Sequence, residues 1–319
     1  MGLIENPKTY TGRDLETIFF RPIMKGENAP ELGIRMLYNM PVPTTIQLWS
    51  PQDGVLREYS KGWDGGESAY RKQKTIELKK VKAEVGFSAS DYFNQVYELI
   101  TGRADVNLDD LTGTELEQAE TEMFRAAIAE SLRVMVWLGD TDDAAYNLFD
   151  GFIKKAYKYG SNIVNMSDTE ITADNVMELF NTMWTYADVR LKSLKSEGHL
   201  AFYVTSDVYE AYERYLDQFG TDGAYTDIVS GRRELMFHGI KIVDIRVSHL
   251  LPTDTYPHQS ICILTDSRNL AMAVNTSDYP GSEVRMWYNP DEMENRQRAT
   301  FMAGCEILDD DLLVVAKLM

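Results

Sequence analysis

One segment constrains the fold of this chain more than any other: TELEQAETEMFRAAIAESLRVMVWLG, residues 114–139. Thr114 and Glu117 have the spacing of a capping box, in which two side chains satisfy free backbone amides at a helix start, and Gly139 supplies a helix-ending residue. Between them runs an apolar stripe at helical spacing, which comprises Leu116, Ala119, Met123, Ala127 and Val134. The segment predicts one long amphipathic core helix, roughly 35–40 Å long at about 1.5 Å per residue.

The region before this helix predicts a long β-hairpin over residues 46–88. TIQLWS and VLREYS form its rising side, KGWDGGES its glycine-rich tip, and QKTIELKKVKAEVGFS its return. The return changes phase, because Ile76 and Leu78 share one parity whereas the apolar residues from Val81 to Phe87 share the other. Since strand side chains alternate between two faces, this segment has apolar groups on both. We expect few partners for them within the chain itself.

The remaining segments predict a mixed architecture. Residues 1–45 hold five of the ten prolines, which predicts an extended arm with at most a short helix around Asp14 to Phe20. Further helices are predicted at 88–101, 173–194 and 206–220, and the chain after residue 234 is mostly strand-forming. Helices that come early and strands that cluster late indicate the α+β class rather than repeated βαβ units.

Composition and motifs argue against most kinds of chemistry. The formal net charge of -18 over 319 residues argues against a surface that grips nucleic acid, although a protein can enclose nucleic acid without gripping it. No apolar run approaches the roughly 20 residues of a membrane helix. No nucleotide-binding, zinc-binding or hydrolase motif occurs, and Cys262 and Cys305 lie in apolar runs that predict buried thiols. We assign no catalytic, cofactor-binding or metal-binding residue, and no cofactor.

Two acidic clusters come nearest to a metal site. Asp140, Asp142 and Asp143 follow the long helix, and residues 309–311 are all aspartate. Carboxylates are ligands for Ca²⁺ and Mg²⁺, but neither cluster has the full spacing of a calcium loop. Solvated loop carboxylates are the alternative interpretation.

The order of these parts resembles the major capsid protein of tailed bacteriophages, with the Hong Kong 97 phage fold that encapsulin shells share. VWLGDTDD resembles the end of that family's spine helix and the loop after it. FYVTSDVYEAYERY resembles the strand-then-helix step of its axial domain, and LMFHGIKIVDIRVSHLLPTD resembles the buried strand and proline loop that follow. The stretch from ICILTD to VVAKL resembles the closing β-elements, so the resemblance covers nearly the whole chain.

The resemblance implies an α+β fold with an N-terminal arm, an extended β-hairpin loop, a peripheral domain that contains the spine helix, and an axial domain. The implied boundaries are 1–40 for the arm, 41–88 for the extended hairpin loop and its flanks, 89–140 for the peripheral domain with its helix, 141–265 for the axial domain, 266–305 for the peripheral strands, and 306–319 for the C-terminal strand that returns to the axial domain.

The resemblance also implies a structural shell subunit and not an enzyme. Its copies are expected to form the hexamers and pentamers of an icosahedral phage head that encloses double-stranded DNA without sequence-specific binding. The chain lacks the long helical N-terminal extension that serves some family members as a scaffold, so either a separate scaffolding protein is a partner or no scaffold is needed. Portal and decoration proteins are the other partners that the resemblance implies. The expected location is the virion capsid, assembled in the bacterial host cytoplasm, with no membrane.

The candidates for inter-subunit contacts are the basic residues of the hairpin return and one tryptophan near the tip: Lys72, Lys74, Lys79, Lys80, Lys82 and Trp63. We expect these lysines to meet the acid-rich surface of a neighbouring subunit, and a solvated basic face that only aids solubility is the alternative. Some relatives cross-link a hairpin lysine to a neighbour's asparagine. Lys61 with Asn289 or Asn295 are the residues suited to those roles, and ordinary surface positions are the alternative.

Two other functions stay open from the sequence. An encapsulin-like compartment that encloses protein cargo is the nearer one, although the proline-rich start favours the phage interpretation. A soluble hydrolase with a carboxylate-based site is the alternative from another class, and it predicts a monomer or small oligomer with one deep polar pocket.

Overall fold

The computed structural model describes residues 8–11, 33–38, 44–49, 59, 61, 71–88, 115–143, 145–166, 170–218, 235–251, 260–275, 283–289, 291–292 and 294–318. The α-helices of these residues are α1 (Glu115–Leu138), α2 (Phe152–Tyr159), α3 (Val176–Tyr186), α4 (Val189–Ser193) and α5 (Ser206–Gln218). The strands are β1 (Lys8–Thr11), β2 (Arg35–Tyr38), β3 (Thr44–Trp49), β4 (Arg71–Ile76), β5 (Lys79–Ser88), β6 (Asn162–Asn165), β7 (Leu200–Val204), β8 (Met236–Phe237), β9 (Ile240–Asp244), β10 (Cys262–Asp266), β11 (Leu270–Asn275), β12 (Glu283–Asn289), β13 (Glu294–Ile307) and β14 (Leu313–Lys317).

The strands form three sheets. The long sheet has the order β1-β12-β13-β11-β2, and β5 pairs with the other edge of β13. The second sheet has the order β6-β14-β10-β7-β9-β8, and β3 pairs with β4 alone. The predicted α+β class is therefore confirmed, as is the antiparallel base of the predicted hairpin. Its predicted tip lies almost wholly outside the described residues.

The predicted long helix is confirmed as α1, and Val134 of the predicted stripe is buried, but the middle of that stripe is not. Met123 is 57% exposed and Ala127 is also exposed, whereas Phe124, Ile128 and Leu132 are buried against the long sheet. Two apolar stripes lie one residue apart on this helix. The stripe with the larger side chains removes more apolar surface from water when it faces the sheet, so that stripe is the one buried.

The phase change in the basic return is explained by a change of partner between β4 and β5. Ile76 and Leu78 pack with Met302 on one face of the long sheet, where the chain crosses from the hairpin. Val81 then packs on the opposite face, in the core that contains Phe124 of α1. The apolar residues before and after the phase change therefore pack on opposite faces of the long sheet.

β5 is paired along its whole length within its own chain, from Lys79 opposite Ala303 to Ser88 opposite Glu294. The expectation that this segment finds few partners in the chain is wrong. Its partner strand lies more than 200 residues away in sequence, so no local pattern indicates the pairing.

The expected arm is also more integrated than its prolines suggest. β1 pairs with β12, β2 pairs with β11, and Ile34 is buried in the core under α1. Short extended segments between prolines can still join a sheet edge, because proline removes a backbone donor only at its own position. The helix predicted around Asp14 to Phe20 and the helix predicted at 88–101 lie outside the described residues.

The second sheet is covered by α3 and α5 around an aromatic core. Phe180 contacts Phe202, Tyr212 and Phe237, with ring centroids 4.9, 5.2 and 5.4 Å away. The helix predicted over 173–194 is divided into α3 and α4, because Asp188 starts a new helix by accepting a hydrogen bond from the Arg190 backbone amide at 2.7 Å. The short helix α2 was not predicted from the sequence. None of the described helices has the length and apolar character needed to cross a membrane.

Candidate assembly surface

Lys74 lies at the base of the hairpin and ties it to the body of its own chain. Its Nζ is 2.9 Å from a carboxylate oxygen of Asp310 and 3.9 Å from one of Glu306, and its side chain is only 24% exposed. Lys155 of α2 completes the group, because its Nζ is 2.6 Å from Glu306 Oε2 and donates to the Cys305 carbonyl. Lys74 is thus placed where it fixes the hairpin base within the subunit.

Lys79, Lys80 and Lys82 are exposed on β5. Lys82 Nζ is 2.7 Å from Glu84 Oε2 and Lys79 Nζ is 3.8 Å from Glu77 Oε2, with all four side chains at least half exposed. Such exposed pairs contribute little to stability, so Lys79 and Lys82 can exchange these carboxylates for those of another molecule at little cost. Nothing is described of the side chain of Lys72, and Trp63 lies outside the described residues.

The expected cross-link residues do not form one exposed set. Lys61 is exposed, and Asn289 is half-buried at the end of β12, where its Oδ1 accepts a hydrogen bond from the Asp291 backbone amide at 3.4 Å. Asn295 is completely buried in β13, on the side that faces the α1 core, and neither of its side-chain polar atoms has a hydrogen-bond partner among the described residues. A lysine that approaches from outside does not reach it in this arrangement.

The other face of the long sheet carries a charged surface, of which the sequence indicated only Lys80 and Lys82. The pairing register aligns the outward residues of β5, β12 and β13, and we call the following set the charged sheet face: Lys80, Lys82, Glu84, Glu283, Arg285, Trp287, Glu294, Arg296 and Arg298. It contains five cations and three carboxylates. Each strand alternates in sequence, but only the register between distant strands joins these positions into one surface.

The first acidic cluster is built around a lysine. Lys154 Nζ is 2.5 Å from Asp140, 2.7 Å from Asp142 and 2.9 Å from Asp150. Burial would raise the pKa of Asp150, but hydrogen bonds from Thr141 and Lys154 outweigh it and lower that pKa to about 2. The ammonium group thus neutralises these carboxylates and joins the loop after α1 to α2.

The second acidic cluster, at 309–311, is likewise engaged by cations of the same chain. Arg190 lies 3.7 Å from Asp309 and 3.0 Å from Asp311, while Asp310 binds Lys74. In the parts of the chain that the structure describes, no group of three potential ligands is arranged to hold a metal ion.

Both thiols are buried, as the sequence predicts. Burial raises the pKa of Cys305 to about 12 and also raises that of Cys262, so both remain protonated at neutral pH. Neither cysteine is therefore a nucleophile in this structure.

Comparison with known proteins gives the fold. No protein-family model and no curated protein matches the chain by sequence. Solved structures do match. A chain of Gordonia phage Cozz is 15% identical with a TM-score of 0.52, and the match covers 91% of this chain and 86% of that one.

Two other structures align over most of both chains. The capsid of an empty GTA particle is 11% identical with a TM-score of 0.53, covering 92% of this chain and 97% of that one. The satellite phage P4 procapsid, which includes the size determination protein Sid, is 10% identical with a TM-score of 0.53, covering 97% and 93%. The chain therefore has the Hong Kong 97 phage capsid fold that the order of its sequence elements predicts.

Proposed function

We propose that a chain with this fold is a structural subunit of a phage head, which assembles through hexamers and pentamers into an icosahedral shell around double-stranded DNA. The observation that carries the proposal is the extent of the match, which covers 97% of a GTA capsid chain and 93% of a chain in the satellite phage P4 procapsid. A match over the whole fold, rather than over one module, is expected of a subunit with the same architectural task.

Both acidic clusters form ion pairs with cations of the same chain, which supports a structural role over a catalytic one. Asp140, Asp142 and Asp150 surround Lys154, and the aspartates at 309–311 bind Arg190 and Lys74. Carboxylates held in this way join loops to helices within the subunit. They are not the pair of differently tuned carboxyl groups that a hydrolase requires.

The two large sheets suit the expected division into domains. In this proposal α1 and the long sheet form the peripheral domain, at 89–140 and 266–305, and the second sheet forms the axial domain, at 141–265. The pairing of β14 with β10 in the second sheet supports a C-terminal strand that returns to the axial domain, and β13 of the long sheet continues to Ile307 before it. In this proposal the part of the hairpin that precedes β5 extends from the peripheral domain toward a neighbour, whereas β5 itself belongs to the long sheet.

The inter-subunit role of the lysines follows from charge. Lys79, Lys80 and Lys82 are exposed on a chain whose formal net charge is -18, so the surface of another copy attracts them. The same net charge suits a shell that encloses DNA without gripping it. Scaffolding, portal and decoration proteins would be the additional partners of such a subunit in the host cytoplasm and the virion.

The test is particle morphology after expression of the full chain, alone and with a candidate scaffolding protein. Negative-stain microscopy and sedimentation should show shells or hexameric and pentameric rings. Nucleic acid inside native particles supports the phage head, whereas protein cargo supports the encapsulin-like alternative. A monodisperse monomer under both conditions would contradict the proposed shell function and favour the hydrolase alternative.

A further inference from the structure

Arg285 and Arg298 occupy directly opposite positions on β12 and β13, on the charged sheet face. Like charges at opposite cross-strand positions destabilise a sheet. Arg298 is compensated, because its Nη2 donates to Glu283 Oε1 at 2.9 Å. Arg285 is exposed and has no ion-pair partner within the described part of the chain. In the described part of the monomer, the positive charge of Arg285 therefore lies opposite another positive charge and is balanced by no carboxylate.

Trp287 holds both guanidinium groups in place. The Cζ atoms of Arg285 and Arg298 each lie 5.7 Å from the centroid of its ring. A cation over an aromatic face is attracted to it, and the ring restricts the rotamers of the long arginine side chain. Arg285 is therefore presented to solvent in a restricted orientation, which lowers the entropy lost when a partner carboxylate binds it.

The composition of this face favours a protein partner over nucleic acid. Glu84, Glu283 and Glu294 lie among its five cations, and they would repel the closely spaced phosphates of a duplex. A protein surface can match such a mixed pattern group by group. The formal net charge of -18 makes the surface of another copy of this chain the complementary one.

We propose that the charged sheet face docks on an acidic surface of a second copy of this chain, with Arg285 as the residue that the partner's carboxylates bind. The inference rests on the proposed shell function and adds the surface through which one subunit recognises another. The contact joins different surfaces of the two copies, so it suits closed rings of subunits.

Arg285→Glu tests the proposal because it should change folding and assembly in opposite directions. Within the monomer, the substitution replaces a like-charge cross-strand pair with an opposite-charge pair opposite Arg298, so the urea midpoint should stay equal or rise. Assembly of the purified full chain, followed by light scattering, should slow by roughly tenfold or more, because the new charge repels the partner's acidic surface. Arg285→Lys keeps the charge but loses the planar guanidinium over Trp287, so its assembly rate should lie between that of the unmutated chain and that of Arg285→Glu.

Arg214→Glu on α5 is the matched control, since it makes the same change in net charge at a side chain that is 74% exposed. Equal slowing in both variants would assign the effect to net charge and overturn the proposal. Normal assembly by Arg285→Glu would overturn it while leaving the shell function intact, whereas an unmutated chain that never assembles would overturn both. Binding of a mixed-sequence duplex DNA oligonucleotide that is lost in Arg285→Glu, with unchanged self-association, would reassign the face to nucleic acid.

Discussion

Gly304 shows how a single residue permits the chain to cross the long sheet. A Cβ atom at this position would lie 2.2 Å from the carbonyl oxygen of Glu77, in the link between β4 and β5. Since the neighbour is backbone, it cannot rotate away as a side chain can. We expect Gly304→Ala to lower the free energy of unfolding by about 2 kcal/mol or more, the usual range for overpacking, as measured by urea unfolding.

Gly86→Ala is the control for this prediction. The atom nearest to a Cβ at Gly86 is Glu294 Oε2 at 3.4 Å, which is the end of a flexible side chain. This substitution should change the free energy of unfolding by no more than about 0.5 kcal/mol. Equal stability of the Gly304→Ala and unmutated proteins would show that the link does not lie against β13 as described.

Lys154 gives a prediction about pH. Lys154→Met removes the cation from between three carboxylates, so we expect a loss of about 0.5–1 kcal/mol at pH 7, because solvent screens partly exposed ion pairs. The folded-state pKa of Asp150 is lowered to about 2, so its contribution is present above its ordinary value of about 3.8 and is lost as pH falls through about 2. The stability difference between the two proteins should therefore shrink as pH falls from 5 to 2.

Urea unfolding across this pH range measures the effect. Lys158→Met on the same helix is the matched control, because Lys158 is exposed and contacts only the ring of Tyr159 among the described ion-pair and ring partners. If the difference in unfolding free energy between the Lys154→Met and unmutated proteins stays constant down to pH 2, the ion pairs of Lys154 with the three carboxylates do not stabilise the fold as described.

At the scale of elements, α1 packs on the core of the long sheet through Phe124, Ile128 and Leu132. Ala127 is exposed near the middle of this helix, so a substitution there reports on the backbone and not on core packing. Proline removes one helical hydrogen bond and its ring clashes with the preceding turn, which costs about 3 kcal/mol or more. We expect Ala127→Pro to give insoluble or unfolded protein, and Ala127→Ser to remain soluble. Soluble Ala127→Pro protein with unchanged far-ultraviolet circular dichroism would contradict the helix.

The exposed lysines of β5 allow assembly to be separated from folding. We expect the triple change Lys79→Glu, Lys80→Glu, Lys82→Glu to keep the monomer folded, because all three side chains lie outside the core. Assembly measured by light scattering should be slowed or blocked. Added salt should slow the unmutated protein as well, since the Debye length is about 8 Å at physiological ionic strength. Normal assembly of the triple variant would indicate a basic face that only aids solubility.

At the scale of the whole molecule, the N-terminal residues test what the subunit needs in order to fold. Deleting residues 1–25 removes β1, a four-residue strand at the edge of the long sheet, and retains β2 and Ile34 in the core. We expect a cooperatively folded protein, measured by circular dichroism and thermal unfolding, that no longer makes stable shells in negative-stain images. A truncated chain that cannot fold would show that the edge strand is part of the minimal fold.

The sequence alone determined the features whose signals are local. α1 spans 115–138, where the apolar spacing and Gly139 predict a helix, and α5 lies within 206–220, where a helix is also predicted. Both cysteines are buried, as their apolar surroundings indicate. The exposure of Lys79, Lys80 and Lys82 also follows from the sequence, because consecutive charged residues cannot all point into a core.

Only the tertiary structure decided which faces meet. Spacing places Met123 and Phe124 in adjacent stripes of α1, but the long sheet selects the stripe that contains Phe124. Alternation places Arg285 and Arg298 on strand faces, but only the register of β12 with β13 sets them opposite each other. Val81 lies opposite Phe301 across more than 200 residues. Periodicity is a property of residues that are neighbours along the chain. The pairing of strands and helices depends instead on the free energy of burying surfaces that are distant in sequence, so it is determined only when the whole chain folds.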